Sequence, residues 1–376
     1  MTDAEFTGVG KAFGDYLRGF RLHAGVPQTA GHFGEYCRGL LSDESRKTVE
    51  PLALRAGVTV RTLQVFLKDG DWDEAGMQVT LRQRLARAFA REPDPSGLGT
   101  IGIIDETSVL KQGAKTPGVQ RQYLGCVGKV ANGIVTVHLG AWRGDLKALF
   151  AADLFLPASW SNDRERCRAA GIPDRKVHEK KWKLAFWQWV QACEDGFAFD
   201  WLVFDEYYGR ATALLRLLDM GRQRYVGEVP VNYRVATREG GRRSEARDLL
   251  KATARKGWKR LILRHDAGGA SVGDYRSCEA FAAKHRQLLI VAVNRATEEV
   301  KDFVSNAVGV SAKKVLRVAF RRAPIEHLFR LAKQEAGFAH FEGRNSRAML
   351  RHLTMALVVL GFVSLHAAKL QKKTPK

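Results

Sequence analysis

The sequence predicts an α/β fold, a sheet flanked by helices behind an all-helical N-terminal segment, on three observations. Apolar residues recur at helical spacing up to about residue 92, with few β-branched runs. A Pro/Asp/Ser/Gly stretch, residues 92–99, then punctuates the chain as a linker. From Thr100 the texture turns to β-branched, alternating runs. With 376 residues and 45% hydrophobic content the chain can bury a large core, expected to divide into residues 1–98 and 99–376.

In chain order, residues 52–64 read as two short helices joined at Gly57, with Thr59 capping the second, which is helix-turn-helix spacing. Helical hairpins with a glycine turn are common, so the motif suits DNA recognition or plain packing equally. Strands are expected over residues 100–104, 122–130 and 134–142, the last alternating Val135, Val137 and Leu139 with Thr136 and His138. A basic helical stretch, residues 163–194, carries Trp182, Trp187 and Trp189. A short buried strand, 201–204, and a helix, 210–220, follow. Residues 225–314 are mixed, with strand-like runs at 225–229, 260–264 and 288–293. A helix begins at Pro324, a second covers about 346–368, and the basic tail from Lys369 is expected to fray.

Against 61 Lys and Arg stand 40 Asp and Glu, a formal charge of +21 that attracts polyanions and makes nucleic acid the first partner to consider. A GC-rich genome raises arginine generally, so the charge alone leaves the partner open. Cys37, Cys126, Cys167, Cys193 and Cys278 form no CxxC pair and no zinc-type cluster, and are read as reduced core thiols of a cytoplasmic protein. The start, MTDAEFTGVG, has no signal-peptide character. The most apolar run, residues 355–368, is broken by Gly361, Ser364 and His366 and falls short of the ~20 residues of a membrane span, so it reads as a buried helix with no membrane partner.

Several motifs fail on context. Gly97 to Gly102 spells GxGxxG, but a linker precedes it and a strand follows, so no nucleotide cofactor is expected there. Gly269 to Gly273 spells GxSxG yet reads as a loose turn. Gly128-Lys129 lacks the rest of a P-loop, and His178-Glu179 has no second His four residues on.

The carboxylates are more informative. Asp105 is expected at the carboxyl end of the strand 101–104, and Asp205 at the corresponding end of 201–204. If the strands are neighbours, both acids emerge at one edge; either alone could simply cap a turn. Glu326 lies near the start of the helix begun by Pro324. Ile325, Leu328, Phe329, Ala332 and Ala336 form its apolar face, and Glu326, Arg330 and Lys333 a charged one that could also be a solvated ladder. Three acids brought together repel, and Mg²⁺ or Mn²⁺ is the natural relief. A two-metal site of this kind performs in-line phosphoryl chemistry, and the basic surroundings would hold a DNA backbone in register.

With these residues in view, the chain resembles the DDE transposases of bacterial insertion sequences from about residue 50 to about 360. Around the first acid the likeness comprises Ile104-Asp105-Glu106-Thr107, Lys111, Gly118-Val119, Arg121-Gln122-Tyr123, Gly125, Gly128-Lys129 and Asn132. It continues through Leu156-Pro157, Trp160 and Gly171-Ile172-Pro173 to Asp205-Glu206-Tyr207-Tyr208-Gly209. The third acid falls in Arg322, Glu326 and Lys333, spaced as the family's Arg, three residues, Glu, six residues, Lys, followed by Gly337-Phe338, His340-Phe341-Glu342-Gly343-Arg344 and Arg351-His352.

The resemblance implies an RNase H-like mixed sheet, with a β-rich insertion at about 225–314. It implies Asp105, Asp205 and Glu326 as ligands of two Mg²⁺ ions, with Mn²⁺ able to substitute. Arg322 and Lys333 would contact DNA phosphates near the cleavage point, and Arg330, Lys111 and Arg121 are candidates for further contacts. The implied partners are double-stranded DNA, both terminal inverted repeats and target, and a second copy of the chain in a synaptic complex. The implied location is the bacterial nucleoid. One departure is Ala319, where related signatures place a Tyr; Phe320 stands beside it. Two other readings are an inactive, domesticated DNA-binding descendant and another RNase H-like nuclease such as a junction resolvase.

Overall fold

The computed structural model describes residues 3–248, 258–266, 269–282, 285–322 and 324–373. Five helices lead the chain: Asp3–Arg18, Pro27–Leu40, Val49–Arg55, Val60–Lys68 and Glu74–Arg91. Local chemistry sets their starts. Pro27 occupies the first turn of its helix, where its missing N–H costs nothing. Thr59 accepts a hydrogen bond from the Thr62 amide, and Asp73 one from the Gly76 amide.

The strands are β1 (Ile101–Leu110), β2 (Gln120–Leu124), β3 (Lys129–Arg143), β4 (Leu146–Leu154), β5 (Trp201–Phe204), β6 (Tyr225–Val229), β7 (Arg234–Val235), β8 (Ser244–Glu245), β9 (Lys259–Asp266), β10 (Gly269–Ala282), β11 (His285–Asn294) and β12 (Val300–Ser305). All but β7 and β8, which pair with each other, join one sheet in the order β2-β3-β1-β5-β6-β12-β11-β10-β9, with β4 beside β3. β1, β3 and β4 pair antiparallel, whereas β5 and β6 run parallel to β1. The path β4-β3-β1-β5-β6 is the RNase H-like sheet that was expected. The inserted strands extend it, because β12 pairs antiparallel with β6. Tyr225–Val229, at the head of the expected insertion, therefore belongs to the central sheet through its pairing with β5.

Several elements differ from expectation. β1 runs on to Leu110, since β3 pairs with it along its whole length. Residues 122–130 are not one strand: β2 ends at Leu124, and the chain turns through Gly128 at φ +64° before β3 starts. β4 was not anticipated, because its Leu, Ala and Phe residues lack the alternation that marks a strand with one wet face. The basic stretch 163–194 divides into the helices Arg164–Ala169 and Lys181–Glu194, parted around Gly171 at φ +68° and Pro173. Gly269 to Gly273 lies within β10 and is no loose turn. Cys37 and Cys167 are buried, but Cys126 is exposed in the β2–β3 turn, so the five thiols are not all core.

The helix Ser346–Lys373 organises the rest. It carries the helix past residue 368 into the tail expected to fray. By length and composition its Ser346–Leu370 portion could cross a membrane. Instead every residue from Arg351 to Phe362 is buried by the chain itself, between β4 on one side and the helices Pro27–Leu40, Val60–Lys68 and Glu74–Arg91 on the other. The N-terminal helices and the sheet thus share one hydrophobic core. Tyr16 donates to the Val358 carbonyl, and Gln78 to Thr354, across this junction.

Two buried histidines make stability pH-dependent. His138 lies against Thr136 and the Ala151 carbonyl, and His352 between Tyr36 and the Gly337 carbonyl. Burial pushes His138 down to about 3 and His352 down to about 4. Both folded values lie below the unfolded one, so the stability carried by the neutral rings is present above pH ~6.5 and is lost as pH falls toward 4. The melting temperature should fall over that window, and His138→Gln should fall less steeply, by about 1.4 kcal/mol per pH unit. Parallel curves for the two proteins would show that His138 does not contribute.

Candidate active site

β1 and β5 are parallel neighbours, paired Ile101 to Trp201, Gly102 to Leu202 and Ile103 to Val203. Asp105 and Asp205 each follow that paired stretch by two residues, so the two acids leave adjacent strands at the same level. Asp105 is not at a strand end, as expected, but inside β1, at the point where its parallel partner stops and only β3 continues beside it. Beyond Ile103, β1 therefore keeps a paired strand on one side only.

Each acid is held. The Asp105 carboxylate accepts from the Glu106 amide at 2.7 Å and from Arg322 at 2.7 Å. Asp205 caps the short helix Glu206–Gly209 by accepting from the Tyr208 amide. Gly209 fixes that turn against β6, because a Cβ there would stand 1.8 Å from the Glu228 carbonyl oxygen. Gly209→Ala should therefore push the turn and Asp205 off the sheet, costing about 1–3 kcal/mol in stability and most of the activity. A variant with unchanged melting temperature and cleavage would show that this contact does not position Asp205.

Burial raises Asp105 to about 7, with Arg322 opposing the rise and the Asp205 charge adding to it. The Tyr208 hydroxyl is pushed up by burial first, and then by Glu106, Asp105 and Asp205. Negative charge thus converges on one spot. Glu106 has one carboxylate oxygen on Lys181 at 2.7 Å and the other buried without a hydrogen bond. Lys181 also lies 4.4 Å from the centre of the Tyr207 ring. Glu106, Lys181 and Tyr207 were not singled out as site residues from the sequence. The available signal was their place beside the two aspartates and in the basic stretch.

The helix Pro324–Glu335 lies over β1 and β4, with Phe329 set edge-on against His138, the β3 residue paired with Asp105. Leu328, Phe329, Ala332 and Ala336 are buried, as the apolar face required. The side chains of Ile325 and Glu326 lie outside the described residues. Glu326 is in the first turn of this helix, four residues beyond Arg322, which itself reaches Asp105. Arg330 is exposed, and the half-buried Lys333 points its ammonium at the Ser108 carbonyl at 3.4 Å. Lys111 donates to the Phe341 carbonyl and so ties β1 to the loop before the last helix. Arg121 is exposed on β2, away from these contacts. Phe320 packs edge-on against Phe303 of β12.

The donor set fits a hard divalent cation. It comprises the carboxylate oxygens of Asp105, held toward protonation first by burial and further by the Asp205 charge, and of Asp205, with one further buried carboxylate oxygen unsatisfied nearby. Among the described residues no three such side chains are arranged as a complete metal cluster.

A family model described as DDE superfamily endonuclease matches residues 21–266, more than half of the chain. The chain belongs to the DDE superfamily endonucleases. The matched span contains both aspartates and ends before Glu326. This endonuclease is also similar to a probable transposase for insertion sequence element IS701 of Microchaete diplosiphon, 32% identical over 203 residues. That alignment covers 53% of this chain and 47% of the relative, so the likeness spans about half of that protein's length.

Proposed function

We propose that this endonuclease is a transposase that cuts and rejoins DNA at the ends of an insertion sequence, with Asp105, Asp205 and Glu326 holding two Mg²⁺ ions. The observation that carries the reading is the level placement of Asp105 and Asp205 on adjacent parallel strands, with Arg322, four residues before Glu326, paired with Asp105. Magnesium bound by these carboxylates would supply activation of water or a 3′-hydroxyl and stabilisation of the leaving oxygen.

The chain's own residues do the rest. Arg322 neutralises Asp105 until metal and DNA arrive, and its guanidinium is then placed to hold a phosphate near the cut. Lys181 pairs with Glu106 and orients it. Lys333 and the exposed Arg330 face the DNA backbone, consistent with the net charge of +21. Lys111 serves chiefly to fix the loop carrying Phe341. Joining two element ends calls for two copies of the chain on DNA, acting in the cytoplasm. No observation favours an inactive DNA-binding descendant.

The test is cleavage of a labelled duplex carrying the DNA that flanks the gene, with Mg²⁺ or with EDTA. Metal-dependent cuts at the element boundary support the reading. Cuts without regard to the boundary would favour a general nuclease.

A further inference from the structure

We propose that the helix Val60–Lys68 reads base sequence, entering a DNA major groove with Arg61, Gln64, Val65 and Lys68, while Arg344 grips the adjoining backbone. The proposal rests on the reading of this enzyme as one that acts at defined DNA ends, and names where the sequence is recognised.

The helices Val49–Arg55 and Val60–Lys68 are joined by a tight turn in which Gly57 adopts φ +65° with open space around it, so backbone conformation and not crowding demands the glycine. Thr59 caps the second helix. Leu52, Ala53, Leu63 and Phe66 are buried and fix the angle between the two helices. This is a helix-turn-helix in which one face of the second helix is exposed.

The outer face is open to solvent, and Lys68 lies 3.9 Å from its neighbour Asp69. Arg61, Gln64, Val65 and Lys68 fall on one stripe, at i, i+3, i+4 and i+7, and all are exposed. Arg61 and Gln64 make no hydrogen bond or ion pair with any described residue. A face retained for packing would be buried, and a solvated face would more typically carry paired charges. This one combines the groups that read base edges: Arg for guanine, Gln for adenine and an apolar side chain for the thymine methyl. Val65 is 39% exposed, an uncompensated apolar surface on a basic face.

Two further features suit the role. Arg61, Gln64, Val65 and Lys68 line one side of a cavity of about 440 Å³ whose other side includes the loop of residues 340–345, where Glu342 and Arg344 are exposed. The C-terminal end of the helix is also held rigidly, because Arg351 of the central helix donates to the carbonyls of Phe66, Leu67 and Gly70. The far loop is tied by Lys111 to β1, the strand bearing Asp105.

The experiment is selection by the full-length protein from a pool of duplexes with a randomised segment, followed by sequencing. Wild type should enrich a motif. Gln64→Ala and Arg61→Ala should each lose about tenfold preference at one or two positions and keep the others. Arg344→Ala should weaken all sequences alike and flatten the salt dependence. If both helix variants enrich the wild-type motif unchanged, or wild type enriches none, the proposal is overturned. Because the three residues are exposed, equal melting temperatures exclude misfolding. Mg²⁺-dependent nicking by the same preparations, lost in Asp205→Asn, reports separately on the active site. A reader that selects a motif but never cuts would overturn the transposase reading and not this one.

Discussion

Asp205→Asn is expected to lower Mg²⁺-dependent strand cleavage by about a thousandfold or more, and to leave duplex binding nearly unchanged. On the proposed reading the substitution removes a metal-binding carboxylate and with it several kcal/mol of transition-state stabilisation, at about 1.4 kcal/mol per factor of ten. The substitution is conservative in every other respect. Asn can accept the Tyr208 amide bond as Asp does, so the turn Glu206–Gly209 keeps its cap. It also removes a charge that repels Asp105, so the fold should lose no stability. Cleavage of labelled element ends, beside a melting curve, checks both halves. Full cleavage by Asp205→Asn would sink the assignment of the site. Glu326→Gln should behave in the same way; if it cuts at the wild-type rate, the third acid lies elsewhere.

The largest effect on stability is expected at Arg351. Its side chain is fully buried and pairs with Glu74 at 2.6 Å. It donates to Gly70 and Trp72 carbonyls at 2.8 Å each and lies over the Trp72 ring. Arg351→Met fills much of the volume but strands these acceptors inside the core, at a cost of about 3–5 kcal/mol. Thermal unfolding should show a fall of roughly 5–10 °C. Arg347 approaches the same Glu74 at 4.0 Å but is 52% exposed, so Arg347→Ala should change stability by less than about 1 kcal/mol. Equal effects from the two variants would mean that charge near Glu74, and not satisfaction of buried carbonyls, is what matters.

Much of the architecture was legible because the relevant signals are local. Helix caps and turns depend on residues within a few positions of one another, which is why the turn at Gly57, the cap at Thr59 and the helix from Pro324 agree with the structure. Strands with one-sided periodicity or short apolar runs, such as Trp201–Phe204 and Tyr225–Val229, were equally plain. β4, β10 and β12 were not, because a strand covered on both faces or set in an extended insertion need not alternate.

The sequence by itself determined the α/β class, the positive field, the two Asp residues after apolar strand runs and the spacing of Arg322, Glu326 and Lys333. Tertiary structure alone decided that Asp105 and Asp205 meet. Their strands lie far apart in sequence, and their register depends on long-range pairing and burial that no local pattern encodes. It also decided that Lys111 ties a loop and that Arg322 rests on Asp105. The apolar run near the C-terminus became the shared core of helices and sheet for the same reason. Its hydrophobicity fixed only that it must be covered, and the path of the distant chain fixed what covers it.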